Sequence, residues 1–497
     1  MRGASLFPVV AGIHLACVDA LSLHKRDVPA VVHIPIERRQ SARSLQKRDS
    51  TVDVSIQNIE DGYYSLNLTL GTPGQQVMLT LDTGSSDLWV NLANSTYCSA
   101  DNDPCSPYGV FTPSDSSTLK IVGTHLNDTY ADGSNLYGPY VTDKVTVGNT
   151  SISDMQFGLA DSTTVAHGIV GVGYQIATYQ AAHDGKVYAN LPQALVDSGA
   201  IKSAAYSLWL DGLESTTGSI LFGGVNTAKY HGELQTLPIV PVEDNYYSLA
   251  IALTEVGVET GSDSTSYTDS LPLSVSLDSG TTLTALPSDL VDKIYKAVDA
   301  TFVEKYNMAH IDCEANTDYN VTYSFSGAKI TVGMDQLILP FTEPDFPKGT
   351  CVFGLVPSQP GINLLGDTFL RSAYVVYDLA NNEISVANTN FNPGDDHILE
   401  IGTGTSAVPG ATLVPSAVSS ATGNGVVSTA TAEPSLGGAS TVTLTAAHST
   451  SSSSGTGTSG DSAEATSTSS KGFAALPTSN PINLLSGLAG AGLLLAL

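Results

Sequence analysis

Two stretches 196 residues apart limit what this chain can fold into. The first is Leu79-Thr80-Leu81-Asp82-Thr83-Gly84-Ser85-Ser86-Asp87-Leu88-Trp89-Val90, and the second is Val275-Ser276-Leu277-Asp278-Ser279-Gly280-Thr281-Thr282-Leu283. Each sets an aspartate at the end of an apolar, strand-like run and follows it with a hydroxyl residue, a glycine and another hydroxyl residue. A carboxylate at the end of a buried strand is unfavourable unless its oxygens are solvated. Gly84 and Gly280 permit a tight turn that returns backbone N–H groups to the carboxylate. Ser85 and Thr281 then hydrogen-bond the outer oxygen and fix the orientation of each acid.

The two stretches head a longer repeat. From Asp82 to Gly171, in Gly168-Ile169-Val170-Gly171, is 89 residues, and from Asp278 to Gly366, in Leu364-Leu365-Gly366-Asp367, is 88. Tyr63-Tyr64-Ser65-Leu66 precedes the first aspartate and Tyr246-Tyr247-Ser248-Leu249 the second. Elements repeated at one offset predict a duplicated pair of lobes, with one carboxylate from each meeting in a shared cleft. Short β-branched runs separated by Gly, Pro, Asn and Asp predict an all-β class from residue 51 to about 390. A helix is expected over Asp289–Val298, capped by Ser288, with Leu290, Ile294 and Val298 on one stripe. Another is expected at Leu191–Asp197 with Gly199 at its end. That helix carries a third Asp-Ser-Gly, which is rejected as catalytic because no apolar strand precedes Asp197 and Ala200 replaces the hydroxyl residue.

At this point the chain resembles the pepsin-like aspartic proteases, and among them the fungal surface-anchored branch, yapsin-like and candidapepsin-like. The resemblance runs from about Tyr63 to Asn388. It rests on Asp82-Thr83-Gly84-Ser85 with Trp89, on Tyr130, on Asp278-Ser279-Gly280-Thr281, and on Gly366 with the following Phe369 to Asp378. It implies a bilobal all-β fold with a few short helices and a cleft between the lobes, acting as an aspartic endopeptidase on protein and peptide substrates, with neither cofactor nor metal, as a monomer. Asp82 and Asp278 would be catalytic. Tyr130-Ala131-Asp132-Gly133-Ser134 fits the tip of a β-hairpin; by resemblance it is the flap over bound peptide, with Tyr130 reaching toward the dyad and Trp89 supporting it. Asp132 would pair with Lys or Arg of a substrate near the cleavage site. Ala131 stands where many relatives have glycine, which would stiffen the tip.

Cys17 lies in the leader, leaving Cys98, Cys105, Cys313 and Cys351, which allow three pairings. The resemblance implies Cys98 with Cys105 and Cys313 with Cys351. Two carboxyls held close cannot both ionise cheaply, so they share a proton and act as base and acid together, the logic that describes pepsin, a member of that family. A water between them would lose a proton to the ionised partner and attack the peptide carbonyl, giving a tetrahedral diol without an acyl-enzyme. Competing chemistries lack their motifs. The chain has no Gly-x-Ser-x-Gly elbow and no His-Glu-x-x-His, and His125, His167, His183, His231 and His310 stand isolated and read as surface or structural residues. A glycosidase would not need the duplicated turns. A different class of reading is a catalytically idle cell-wall interaction protein on the same fold, against which both intact aspartates argue.

The net charge of −28, from 20 Lys+Arg against 48 Asp+Glu, excludes a nucleic-acid partner and suits an acidic medium in which self-repulsion falls. The two ends suggest where the chain works. Residues 1–20 read as a signal peptide and residues 21–48 as a basic propeptide with dibasic pairs Lys25-Arg26 and Lys47-Arg48. The lobes are placed at 49–240 and 241–392, a Ser/Thr-rich disordered stalk at 393–472 and a GPI-attachment signal at 473–497. This predicts passage through the secretory pathway to the cell surface, held by a GPI lipid anchor at the plasma membrane or wall. Asn67, Asn94, Asn127, Asn149 and Asn320 open glycosylation sequons.

Overall fold

A computed structural model describes residues 29–39 and 63–421, apart from 101, 131, 132, 243, 244, 316, 341, 342, 344 and 360. The signal peptide, most of the propeptide with both dibasic pairs, Asp132 and the GPI signal lie outside the described residues.

Strands dominate, and the duplication is visible in their pairing. Gln75–Asp82 runs parallel to Gly168–Gly171, with Asp82 opposite Gly171, and Leu88–Asn91 lies antiparallel on the far side of that short strand. In the second half Leu273–Leu277 runs parallel to Leu364–Leu365, and Thr284–Leu286 meets Leu364 antiparallel. In both, the chain leaves the aspartate, turns, and returns beside the glycine. That return leaves no room for a side chain. A Cβ on Gly171 would lie 2.5 Å from the Ser86 nitrogen, and one on Gly366 would lie 2.4 Å from the Thr281 carbonyl oxygen. The equal spacing from aspartate to glycine in the sequence thus records two equivalent close approaches.

A large sheet joins the halves. Ala205–Trp209 and Thr217–Phe222, from the first, share it with Ala373–Asp378 and Glu383–Thr389, from the second. The strand Val32–Arg39 is inserted between Thr217–Phe222 and Tyr63–Leu70, pairing Ile34 with Ile220, Glu37 with Ser65 and Arg39 with Tyr63. Its alternation explains the insertion: Val32, Ile34 and Ile36 are buried, while His33 and Pro35 face outward. The expected propeptide therefore contributes a strand to the body.

Two expectations are corrected. The helix over Ser288–Val298 buries Leu290, Ile294 and Val298 as its stripe predicts, but Pro287 holds the cap position and no side chain caps it. Ser288 is already helical, so its hydroxyl cannot turn back to the N–H groups of the first turn. The second correction is at the C-terminus. Residues 393–421, expected as the start of a disordered stalk, are folded: Ile398–Glu400 pairs with Gly224–Asn226, and Ala411–Leu413 runs parallel to Tyr230–Pro238. Ile401, Val408 and Val414 are buried there, the first two against Trp209 and Tyr374. Few apolar side chains suffice because the surface they cover is already built. The helix Leu191–Asp197 stops as its sequence predicts, with Gly199 at φ 73, and Asp197 is exposed on it, accepting from Gln193 at 2.8 Å.

Candidate active site

Asp82 and Asp278 meet between the halves. Both are fully buried, and their side chains hydrogen-bond each other. Each is also held by its own turn. The Gly84 N–H donates to Asp82 Oδ1 at 2.8 Å and the Ser85 hydroxyl to Oδ2; the Gly280 N–H donates to Asp278 Oδ1 at 2.9 Å and the Thr281 hydroxyl to Oδ2 at 2.7 Å. The two turns thus give each acid the same pair of donors, as their residue pattern requires.

The residues between aspartate and glycine hold the two halves together. Thr83 Oγ1 donates to the Leu277 carbonyl at 2.8 Å and accepts from the Ser279 N–H at 2.9 Å. Reciprocally, Ser279 Oγ donates to the Leu81 carbonyl at 2.9 Å and accepts from the Thr83 N–H at 3.2 Å. Sequence reasoning missed these roles. The signal was present, since a hydroxyl residue occupies the same place in both turns.

Burial pushes both carboxyls up. Asp82 rises to about 6, with Ser85 and then Gly84 pulling back toward the ionised form. Asp278 goes well above the carboxylate range, through burial first and the charge of Asp82 second. The pair therefore holds at least one proton through the acid range.

The predicted hairpin is present, from Lys120–Thr129 to Asn135–Val147. Its tip closes through the Tyr130 N–H to the Ser134 carbonyl at 2.8 Å, with Gly133 at φ 83. Trp89 Nε1 donates to the Tyr130 hydroxyl at 2.6 Å and the two rings stack 6.5 Å apart. Asp82 is near enough for its charge to raise the Tyr130 phenol further, after burial and Asp128. Behind Trp89, the buried Asp87 accepts from the Tyr140 hydroxyl at 2.7 Å, the Tyr179 N–H at 2.6 Å and the Tyr188 hydroxyl. This brace was not read from the sequence, because its donors lie 53, 92 and 101 residues away.

Cys98 pairs with Cys105 and Cys313 with Cys351. Asn67, Asn94, Asn127 and Asn149 are exposed and Asn320 is half-buried. Among the described residues no three His, Cys, Asp or Glu side chains are arranged to hold a metal ion.

Two acids on duplicated turns between two β lobes define an aspartic protease, and comparison with known proteins agrees. The eukaryotic aspartyl protease family model matches residues 63–389, and the chain belongs to that family. It is 48% identical to a probable aspartic-type endopeptidase, opsB, of Aspergillus oryzae over 86% of this chain and 90% of that one. It is 33% identical to aspartic proteinase yapsin-3 of Saccharomyces cerevisiae over 78% and 77%. The crystal structure of an aspartic proteinase from Irpex lacteus superposes with TM-score 0.56 at 21% identity, covering 73% of this chain and 98% of that one, which establishes the shared fold. The protein is an aspartic endopeptidase acting on protein or peptide substrates.

Proposed function

We propose that Asp82 and Asp278 are the catalytic pair, and that the enzyme works in acid at the cell surface. The observation that carries this is the hydrogen bond between two buried carboxyls, each also bound by its own glycine N–H and hydroxyl neighbour. A shared proton makes one carboxylate the base that takes a proton from an attacking water. The other is the acid that protonates the carbonyl oxygen, and the proton then passes to the leaving nitrogen. Ser85 and Thr281 orient the acids, and Tyr130 covers them. Asp132, between Tyr130 and Gly133 in the sequence, favours Lys or Arg beside the cleaved bond.

The signal-like residues 1–20, the basic segment 21–48, the Ser/Thr-rich tract and the apolar tail support secretion, processing after Arg48 and GPI anchorage of a monomer at the plasma membrane or wall. The exposed Asn67, Asn94, Asn127 and Asn149 suit glycan attachment. The test is cleavage of a peptide library at acidic pH with and without pepstatin. Pepstatin-sensitive cleavage is expected, whereas an inert protein that still binds wall material would establish the idle reading. Comparing Asp132→Thr with the wild type on Lys and Leu peptides tests the flap charge, and an unchanged ratio removes it.

A further inference from the structure

The hairpin that carries Tyr130 has few neighbours to hold it. Its outer strand, Lys120–Thr129, ends the large sheet and pairs, among the described strands, with Asn135–Val147 alone. A strand paired on one side owes much of its hold to side chains that meet across the ladder. On one face of the hairpin Leu126 and Leu136 are buried with Trp89 and Tyr130. On the other, His125, Asn127 and Tyr137 are exposed, as the alternation along the two strands requires.

Tyr137 is 47% exposed, and a single exposed ring is ordinary. Its neighbours are not. It lies directly opposite Asn127 in the register, and the His125 imidazole stacks on it with centroids 5.4 Å apart. Cross-strand partners stand about 4.5–5.5 Å apart at Cβ, so a group borne on the Asn127 side chain is within reach of the phenol ring. Asn127 opens the sequon Asn127-Asp128-Thr129. The other sequons in strands lack such a partner. Asn67 is opposite Met78, and Asn320 is opposite Gly333 on one side and Glu259 on the other.

We propose that Tyr137 and His125 form a platform for the first sugar of a glycan on Asn127, and that this contact braces the hairpin carrying Tyr130. The Asn127 amide nitrogen bonds to C1 of an N-acetylglucosamine and gives up a proton, while the lipid pyrophosphate that carried the sugar leaves. One face of the pyranose is lined with C–H groups, whose slight positive charge suits the negative face of an aromatic ring. The sugar then spans both strands, tied covalently to one and stacked on the other. Its hydroxyls and acetamide stay in water, so no polar group loses its partners. The inference rests on the reading that the chain passes through the secretory pathway, and adds a place and a role for one glycan.

The experiment uses the full-length chain secreted from a yeast host, with glycopeptides identified by mass spectrometry and amide hydrogen exchange followed over residues 129–137. A glycan on Asn127 is expected. Exchange is expected to quicken about two- to fivefold in Asn127→Gln and in Thr129→Ala, which keeps the asparagine and destroys the sequon. Should both variants fail to fold, enzymatic removal of the whole glycan from the folded wild type gives the same comparison. Trimming the wild type back to the first sugar is expected to leave exchange unchanged; a quickening equal to that of Asn127→Gln overturns the platform. Tyr137→Leu is expected to quicken exchange more in the glycosylated chain than in Asn127→Gln, and additive effects overturn the contact. Glycans on other sequons with Asn127 bare overturn this proposal alone. A chain bare at every sequon overturns the glycoprotein reading with it.

Discussion

At Asp82 and Asp278, burial and mutual hydrogen bonding make the pair act as one titrating unit. Removing either charge removes the unit. Asp278→Asn is expected to lower kcat by about 10²–10⁴-fold with KM little changed, measured on any peptide the wild type cleaves. The same burial sets a stability profile. The Asp82 carboxyl titrates at about 6 in the fold against an ordinary value of 3.8, so the native state holds the extra proton between these limits. Its contribution is fully present below about pH 4 and is lost as pH rises through 6, on the order of 3 kcal/mol. Urea denaturation across that range should show the decline in the wild type and a flatter profile in Asp82→Asn.

At the level of elements, much was legible because each turn must solvate its own aspartate with local residues. That requirement wrote Gly84, Ser85, Gly280 and Thr281 into adjacent positions. The return of the chain wrote Gly171 and Gly366 at matching offsets, and the stripe of Leu290, Ile294 and Val298 wrote a helix. Bonds between distant segments leave no such local trace. Thr83 and Ser279 each bind the backbone of the opposite half, and Asp87 gathers donors from three other segments. Residues 393–421 were misread for a related reason. Their composition cannot build a core, but they need only cover one that exists. A protein truncated after residue 392 would expose the surface around Val225, Leu234 and Tyr374 that Ile401 and Val408 now cover. Its thermal midpoint is expected to fall by several degrees, consistent with losing a few kcal/mol of apolar burial, when compared by calorimetry with a chain ending at 421.

For the whole molecule, the strand Val32–Arg39 matters most. It lies between two others and is backbone-bonded on both sides, with Val32, Ile34 and Ile36 in the core. Cutting after Arg48 breaks the chain but none of these bonds. Cleaved fragments are expected to co-elute on native size exclusion and to separate only in denaturant; release of the short fragment on cleavage alone would contradict the pairing. The strand's last paired residue, Arg39, lies opposite Tyr63, the ring stacked on His167. Severing the tether and withdrawing the strand are therefore separate events, and only the second frees the start of Tyr63–Leu70, the strand beside the one that carries Asp82. Cleavage alone would then leave the strand next to that of Asp82 still clasped.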